Sequence, residues 1–220
     1  AKDFAVGIAA PRPRIIFVDR PNAPQSTILA GMVLDRTGHN DLVGLRAANE
    51  VFGGSFMSRI NTDLRETKGW SYGVSSGIGG EENRVTFVVQ APVQADRTGD
   101  SIRALRAQLS DFSSKSGITA AELERTINGN IRELPGNFET SGAVLGSVQR
   151  IISLGRPDDF YETLPQKYLA MTASALDREF RNVIDPNALV WVVVGDAKKV
   201  RPQLDGLGLP VEEMVLSAAN

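Results

Sequence analysis

The 220-residue sequence contains no cysteine and a single histidine, His39. Without cysteine the chain can form no disulfide bond and has no thiol nucleophile, although this absence fits oxidising and reducing compartments equally well. A zinc site needs three or four His, Cys or carboxylate ligands, so with one histidine most ligands would have to be carboxylates. We therefore expect no metal site in this chain.

The sequence also has no excess of positive charge and no long apolar run. Its formal net charge is -2, so it offers no basic surface for binding phosphate groups, and we expect no nucleic-acid partner. No stretch of 18 apolar residues occurs, which predicts that the chain does not insert into a membrane. Hydrophobic residues make up 42% and charged residues 23%, as in an ordinary globular protein.

Proline and glycine positions divide the chain into elements. The first dozen residues, with Pro11 and Pro13, have the character of a linker from an upstream segment, so we expect a linker over 1–13 and a single domain over 14–217. The apolar pattern predicts strands over 14–19, 26–35, 71–78 and 84–91 and helices over 41–52, capped by Asn40, and 55–68, ended by Gly69.

Residues after 95 are mostly predicted to be helical. Thr119 and Glu122 form a capping box at the start of one helix. Helices are expected over 96–112, 120–134, 138–154, 157–171, 173–184 and 197–204, and a terminal segment over 211–216. The apolar run 189–195 is typical of a strand buried on both faces. This order predicts an α+β fold in which helices cover one face of a mixed sheet.

The most informative segment is residues 49–77, NEVFGGSFMSRINTDLRETKGWSYGVSSG. It places Arg65 in the last turn of a predicted helix and Tyr72 at the start of a predicted strand. The segment resembles the second-half motif of the pitrilysin and insulinase-type zinc peptidases, the superfamily that includes the mitochondrial processing peptidases. The stretch GRPDDFYETLPQKYLAMTASALDREF and the closing VVVGD are also similar to that half, so the resemblance covers almost the whole chain.

The resemblance implies a LuxS/mitochondrial processing peptidase-like half-domain, with a largely antiparallel mixed sheet and helices packed on one face. It also implies that Arg65 clamps a carbonyl of the peptide substrate and that Tyr72 donates a hydrogen bond to the oxyanion or to a substrate carbonyl. The family's zinc motif, His-x-x-Glu-His, is missing, because His39 is followed by Asn40, Asp41, Leu42 and Val43.

The chain is accordingly predicted to be the non-zinc, substrate-binding half of a zinc endopeptidase and to be inactive alone. Zinc is expected in a partner half, which would lie upstream in the same polypeptide or on a separate subunit. Family members of this type are often exported, so the resemblance implies a periplasmic location, while a cytoplasmic one stays open.

Several alternatives remain at this point. The chain could be an inactive scaffold or peptide-binding module of the same fold, as in the core subunits of the respiratory bc1 complex. Arg65 could be a solvated helix-end cation and Tyr72 a half-buried strand residue. Trp70 could belong to the core or form an apolar platform facing substrate. Structural roles are favoured for several other residues: helix packing for Gly53 and Gly54, and a loop or capping role for His39. The acidic pairs Glu81 and Glu82, Asp158 and Asp159, and Glu212 and Glu213 are expected to be solvated residues of turns or helix starts.

Overall fold

The computed structural model describes residues 12–80 and 82–215, so most of the expected linker lies outside the described residues. Within them the chain builds one six-stranded sheet in the order β3-β4-β2-β5-β1-β6. The strands are β1 Arg14–Asp19, β2 Gln25–Leu34, β3 Ser75–Gly80, β4 Val85–Gln94, β5 Val190–Gly195 and β6 Val211–Glu213.

The sheet is mixed and largely antiparallel, as predicted. β3, β4, β2 and β5 pair antiparallel in that order, whereas β1 pairs parallel with both β5 and β6. β3 and β6 are therefore the edge strands. The register aligns Gln25 at the start of β2 with Gln94 at the end of β4, which brings both side chains to one end of the sheet.

Eight α-helices are described in residues 12–80 and 82–215. They are α1 Val43–Asn49, α2 Arg59–Asn61, α3 Thr98–Phe112, α4 Ala120–Glu133, α5 Ser141–Ser153, α6 Phe160–Leu169, α7 Ala173–Val183 and α8 Ala197–Leu204. The capping box predicted for α4 is present, with Thr119 and Glu122 bonding each other's backbone N–H groups. The predicted α+β fold is confirmed.

The core lies on one face of the sheet. Burial alternates along each strand because successive side chains point to opposite faces. On the covered face four phenylalanines, Phe52, Phe87, Phe112 and Phe180, meet with ring centroids 4.8 to 6.1 Å apart. Each such ring contributes about 1.5–3 kcal/mol when fully buried.

The opposite face of the sheet is less covered, and this corrects one prediction. The run 189–195 was expected to be buried on both faces, but in β5 only Trp191, Val193 and Gly195 are buried, while the alternate valines are half-buried. The same face exposes Leu29, Val33 and Val88. The apolar run 189–195 correctly indicated a buried strand. It could not indicate that helices would cover only one of the strand's two faces.

Two helical regions near the motif depart from the regular helices predicted over 41–52 and 55–68. Each begins as an α-helix and continues as a π-helical segment, Glu50–Gly54 after α1 and Thr62–Thr67 after α2. π-helical turns are rare and occur often at functional sites. The expected N-cap was also wrong, because the Asn40 side chain accepts a hydrogen bond from the Thr37 N–H instead of capping α1.

Gly53 allows the first of these segments to lie directly against β3. A Cβ atom at this position would be 2.3 Å from the Ser76 Oγ and 2.6 Å from the Ile60 Cδ1. The buried Asn49 fastens the same contact, since its Nδ2 donates to the Ser76 carbonyl and its Oδ1 accepts from the Ser76 hydroxyl. Of Gly53 and Gly54, it is thus Gly53 that has a packing role, because a side chain at this position would collide with Ser76 and Ile60.

Candidate functional site

Arg65 lies in the last turn of the π-helical segment Thr62–Thr67, as the sequence predicted. Its guanidinium carbon lies 4.5 Å from the centroid of the Phe56 ring, and its Nε forms an ion pair of 3.0 Å with Glu66 Oε1. The side chain is 36% exposed. Stacking on a ring and one acidic neighbour leave part of the guanidinium fork directed to solvent, where it can donate hydrogen bonds.

A left-handed glycine turn links this segment to the chain that carries Tyr72. Gly69 has a φ of +64°, a conformation that glycine adopts without strain. The Gly69 N–H donates to the Arg65 carbonyl at 3.2 Å, and the Trp70 N–H donates to the Leu64 carbonyl at 2.9 Å. The turn therefore reverses the chain immediately after Arg65 and returns it towards β3.

Tyr72 lies in a loop three residues before β3, and not at the start of a strand as predicted. The prediction of a strand failed because residues 71–74 do not pair with a neighbouring strand. Their hydrogen bonds instead involve side chains. Ser71 Oγ donates to the Pro92 carbonyl, and the Val74 N–H donates to Asn61 Oδ1 at 2.9 Å. The tyrosine side chain itself projects outward and is 88% exposed.

Arg65 and Tyr72 line one open cavity of about 320 Å³. Trp70, which is half-buried and has the Lys68 ammonium 5.6 Å from its ring centroid, forms another part of the wall. Gln25 and Gln94 complete it at the end of the sheet. Both glutamines are on the same sheet face as Leu29 and Val88 by strand alternation, so the cavity opens beside the less covered face.

The structure brings no metal ligands together within the described residues. No group of three or more His, Cys, Asp or Glu side chains is arranged there to hold an ion. His39 Nδ1 lies 3.1 Å from the Leu154 carbonyl in a loop contact. Glu212 and Glu213 pair with Arg14 and Arg201, whereas Glu81 lies outside the described residues.

A second, larger cavity of about 670 Å³ was not foreseen from the sequence. It lies between the end of β3 and helices α4, α5 and α6, and three arginines line it: Arg46, Arg150 and Arg156. Arg46 is more than 100 positions away from the other two in the sequence. No local pattern marks such a set, because only the folded chain brings Arg46 of α1 to the same cavity as Arg150 and Arg156.

Comparison with known proteins places the chain in a family. The family described as peptidase M16 inactive domain matches residues 1–130, a range that includes Arg65 and Tyr72. No curated protein sequence matches the chain significantly. None of the described helices has both the length and the apolar character that crossing a bilayer requires.

Three solved structures share the fold. The peptidase M16 inactive domain from Pseudomonas fluorescens is 20% identical with a TM-score of 0.76, and the match covers 86% of this chain and 45% of that one. The periplasmic protease PqqL from Escherichia coli is 17% identical with a TM-score of 0.67, covering 86% and 21%. The inactive peptidase domain of a Bordetella parapertussis protein assigned as a zinc protease is 17% identical with a TM-score of 0.66, covering 79% and 94%.

The chain thus spans less than half the length of the Pseudomonas chain and about a fifth of PqqL, but nearly all of the separate Bordetella domain. At these identities the structural matches establish the fold, while the family match extends over more than half of the sequence. The chain belongs to the peptidase M16 inactive domain family.

Proposed function

We propose that this chain is the non-zinc half of a zinc endopeptidase and that Arg65 and Tyr72 hold the peptide substrate. The observation that carries the proposal is the placement of Tyr72. A large aromatic side chain is 88% exposed on a loop that buried hydrogen bonds hold in place, beside an arginine that lines the same cavity. An exposed tyrosine on an anchored loop is pre-organised to contact a ligand.

The two side chains suit different tasks at a peptide bond. A tyrosine hydroxyl can donate a hydrogen bond to the oxygen that becomes negatively charged when water attacks a carbonyl, and one such donor contributes about 3 kcal/mol in a pre-organised site. The arginine fork stays charged at all working pH values and can hold a carbonyl without titrating. The exposed apolar residues Leu29, Val33 and Val88 offer a nearby surface for an extended peptide.

The proposal assigns zinc to a partner half. The sequence has one histidine and no cysteine, and no cluster of metal ligands occurs among residues 12–80 and 82–215. This set of residues does not fit a zinc site in this chain. The partner would be an upstream part of the same polypeptide or another subunit, and residues 14–217 would act as one unit beside it. The likeness to a periplasmic protease supports a periplasmic location.

The test uses the enzyme reconstituted with a half that carries the zinc motif. Tyr72→Phe removes one hydroxyl and leaves the ring, so we expect kcat to fall about 10²-fold with little change in KM. Arg65→Lys keeps the charge but loses the planar fork, so we expect KM to rise about tenfold, because holding a distant carbonyl affects the ground state and the transition state alike.

Arg178→Lys is the matched control, since Arg178 is an exposed arginine on α7 that lines neither cavity. Zinc content and melting temperature of each variant should equal those of the wild type. If both site variants keep wild-type kcat and KM, the pair is structural, and an inactive scaffold becomes the better description of this chain.

A further inference from the structure

The cavity lined by Arg46, Arg150 and Arg156, which we call the arginine cavity, carries an inference of its own. Arg46 comes from α1, Arg150 from α5, and Arg156 from the segment between α5 and α6. Within the described residues none of the three forms an ion pair or a side-chain hydrogen bond. Arg46 and Arg150 are exposed and Arg156 is half-buried, so their donors reach the cavity, and three guanidinium groups around one space offer a place for a ligand of opposite charge.

Two of the three guanidinium groups are held by other contacts. The Arg156 guanidinium carbon lies 4.3 Å from the centroid of the Phe160 ring. Arg46 lies over the backbone at Gly80, where an added Cβ would be 2.6 Å from its Nη2. Asp41 is near Arg156, but its carboxylate accepts a hydrogen bond from Lys167 at 3.0 Å. Asp41 is therefore already engaged with a lysine outside the cavity lining.

The charges in the arginine cavity do not balance. Burial and the positive charges of Arg156 and Arg150 lower the pKa of Arg46 from its ordinary value, as expected for a cation close to other cations. Two acids also line the space: Glu82, which faces His39 at 3.9 Å, and the exposed Glu133. Among the lining residues three cations therefore face two anions, while a further acid, Glu50, lies close to Glu133 and Tyr168.

We propose that the arginine cavity binds the carboxylate of an acidic residue in a bound peptide. Guanidinium groups bind carboxylates through paired, charge-assisted hydrogen bonds, and the cavity volume lies within the range of ligand sites. Tyr161 and Tyr168 supply hydroxyls and ring surface on the wall. The assignment of the carboxylate to a peptide rests on the proposed function. The binding of a carboxylate in this cavity is independent of it.

The position of β3 sets the spacing between this site and Tyr72. The loop that carries Tyr72 leads into β3, and Ile78 and Gly80 at the other end of β3 line the arginine cavity. A six-residue strand extends for about 20 Å at roughly 3.3 Å per residue. Tyr72 precedes β3 by three further residues, and Ile78 lies on the helix-covered face with Phe87, so a peptide that contacts both sites would pass the β3 edge and place its acidic side chain more than about six residues away.

The first experiment tests carboxylate binding without any peptide. Glutarate and its neutral analogue glutaramide are titrated into the chain while the arginine Nε–Hε resonances are followed by NMR. We expect the resonances of Arg46, Arg150 and Arg156 to shift together with glutarate only. Arg150→Gln should weaken glutarate binding about tenfold, as loss of a charge-assisted hydrogen bond predicts. Arg178→Gln, which removes one charge elsewhere, should leave it unchanged.

The second experiment compares two peptides that differ only in one glutamate replaced by glutamine, with inorganic phosphate as a third titrant. The glutamate peptide should bind about tenfold more tightly to the wild type and to Arg178→Gln, and this preference should disappear in Arg150→Gln. Binding of phosphate without any preference for the glutamate peptide would indicate a free-anion site and would overturn the assignment to peptide.

The two proposals fail in different ways. If Arg65 and Tyr72 variants bind and turn over peptide normally while the three arginine resonances still respond to glutarate, the proposed function is wrong and the carboxylate site stands. If those resonances move no more than that of Arg178, the carboxylate site is wrong whatever Arg65 and Tyr72 do.

Discussion

At the scale of single residues, a buried amide holds the loop that presents Tyr72. Asn61 is 3% exposed, its Oδ1 accepts from the Val74 N–H, and its Nδ2 donates to the Phe56 carbonyl at 2.7 Å. One side chain thus joins the loop before β3 to the turn that carries Phe56, on whose ring Arg65 stacks. The relative placement of Arg65 and Tyr72 depends on this amide.

Replacing Asn61 with alanine should therefore loosen the site as well as weaken the fold. Two backbone groups lose their partner, so we expect the free energy of unfolding to fall by about 2–4 kcal/mol in urea titrations. Amide exchange at Val74 should become faster. Asn187→Ala, at an exposed position, should change stability by less than about 0.5 kcal/mol. Equal stability of the two variants would show that Asn61 does not anchor the loop.

At the scale of elements, one ion pair connects α2 to α4. Arg59 donates from Nε and Nη2 to the two carboxylate oxygens of Glu122, both at 2.7 Å, and also to the carbonyls of Ser116 and Gly117. Glu122 at the same time caps α4 together with Thr119. Burial opposes the charge on Glu122, but the hydrogen bonds from Arg59 and Thr119 outweigh it and lower its pKa from 4.5 to about 2.

This pKa predicts a pH dependence of stability. Because the folded-state pKa of Glu122 lies below its unfolded value, the stabilisation is complete above about pH 4.5 and is lost as the pH falls towards 2. Glu122→Gln should lower the free energy of unfolding at pH 7 by about 1–3 kcal/mol and lose less stability than the wild type over that pH range.

Glu124→Gln is the control for this prediction, since Glu124 is an exposed residue of the same helix α4. Urea unfolding followed at several pH values checks all three proteins. If the wild type and Glu122→Gln lose stability in parallel on acidification, the ion pair with Arg59 contributes nothing specific to the fold.

At the scale of the whole molecule, the sheet separates two surfaces with different chemistry. Leu29, Val33 and Val88 are exposed on one face, next to the cavity of Arg65 and Tyr72. The helices cover the other face and enclose the arginine cavity at the far end of β3. A ligand that contacts both surfaces would have to pass around the edge strand β3.

The whole chain also allows a prediction about metal. With one histidine and no cysteine, the isolated chain should bind no stoichiometric zinc after dialysis and should cleave no peptide. Elemental analysis and a fluorogenic peptide assay check this, with the reconstituted enzyme as the positive control. Stoichiometric zinc held by three or more protein ligands would contradict the assignment of the metal to a partner half.

Amino-acid patterns alone were sufficient to predict the family, the order of most strands and helices, and the position of Arg65 at a helix end. These features depend on local pattern: apolar spacing, the capping box at Thr119 and the glycine turn at Gly69 are set by neighbours in the chain. The motif also predicts Tyr72 as a site residue, and this role stays a prediction.

The remaining features depend on long-range packing. The π-helical segments and the loop around Tyr72 arise from contacts of Asn49 and Asn61 with distant backbone, which override the local helix and strand preferences. Which face of the sheet stays uncovered, and the meeting of Arg46 with Arg150 and Arg156, depend on how helices pack across more than 100 residues of sequence. Local patterns do not encode such long-range contacts, because they form only when the whole core is assembled.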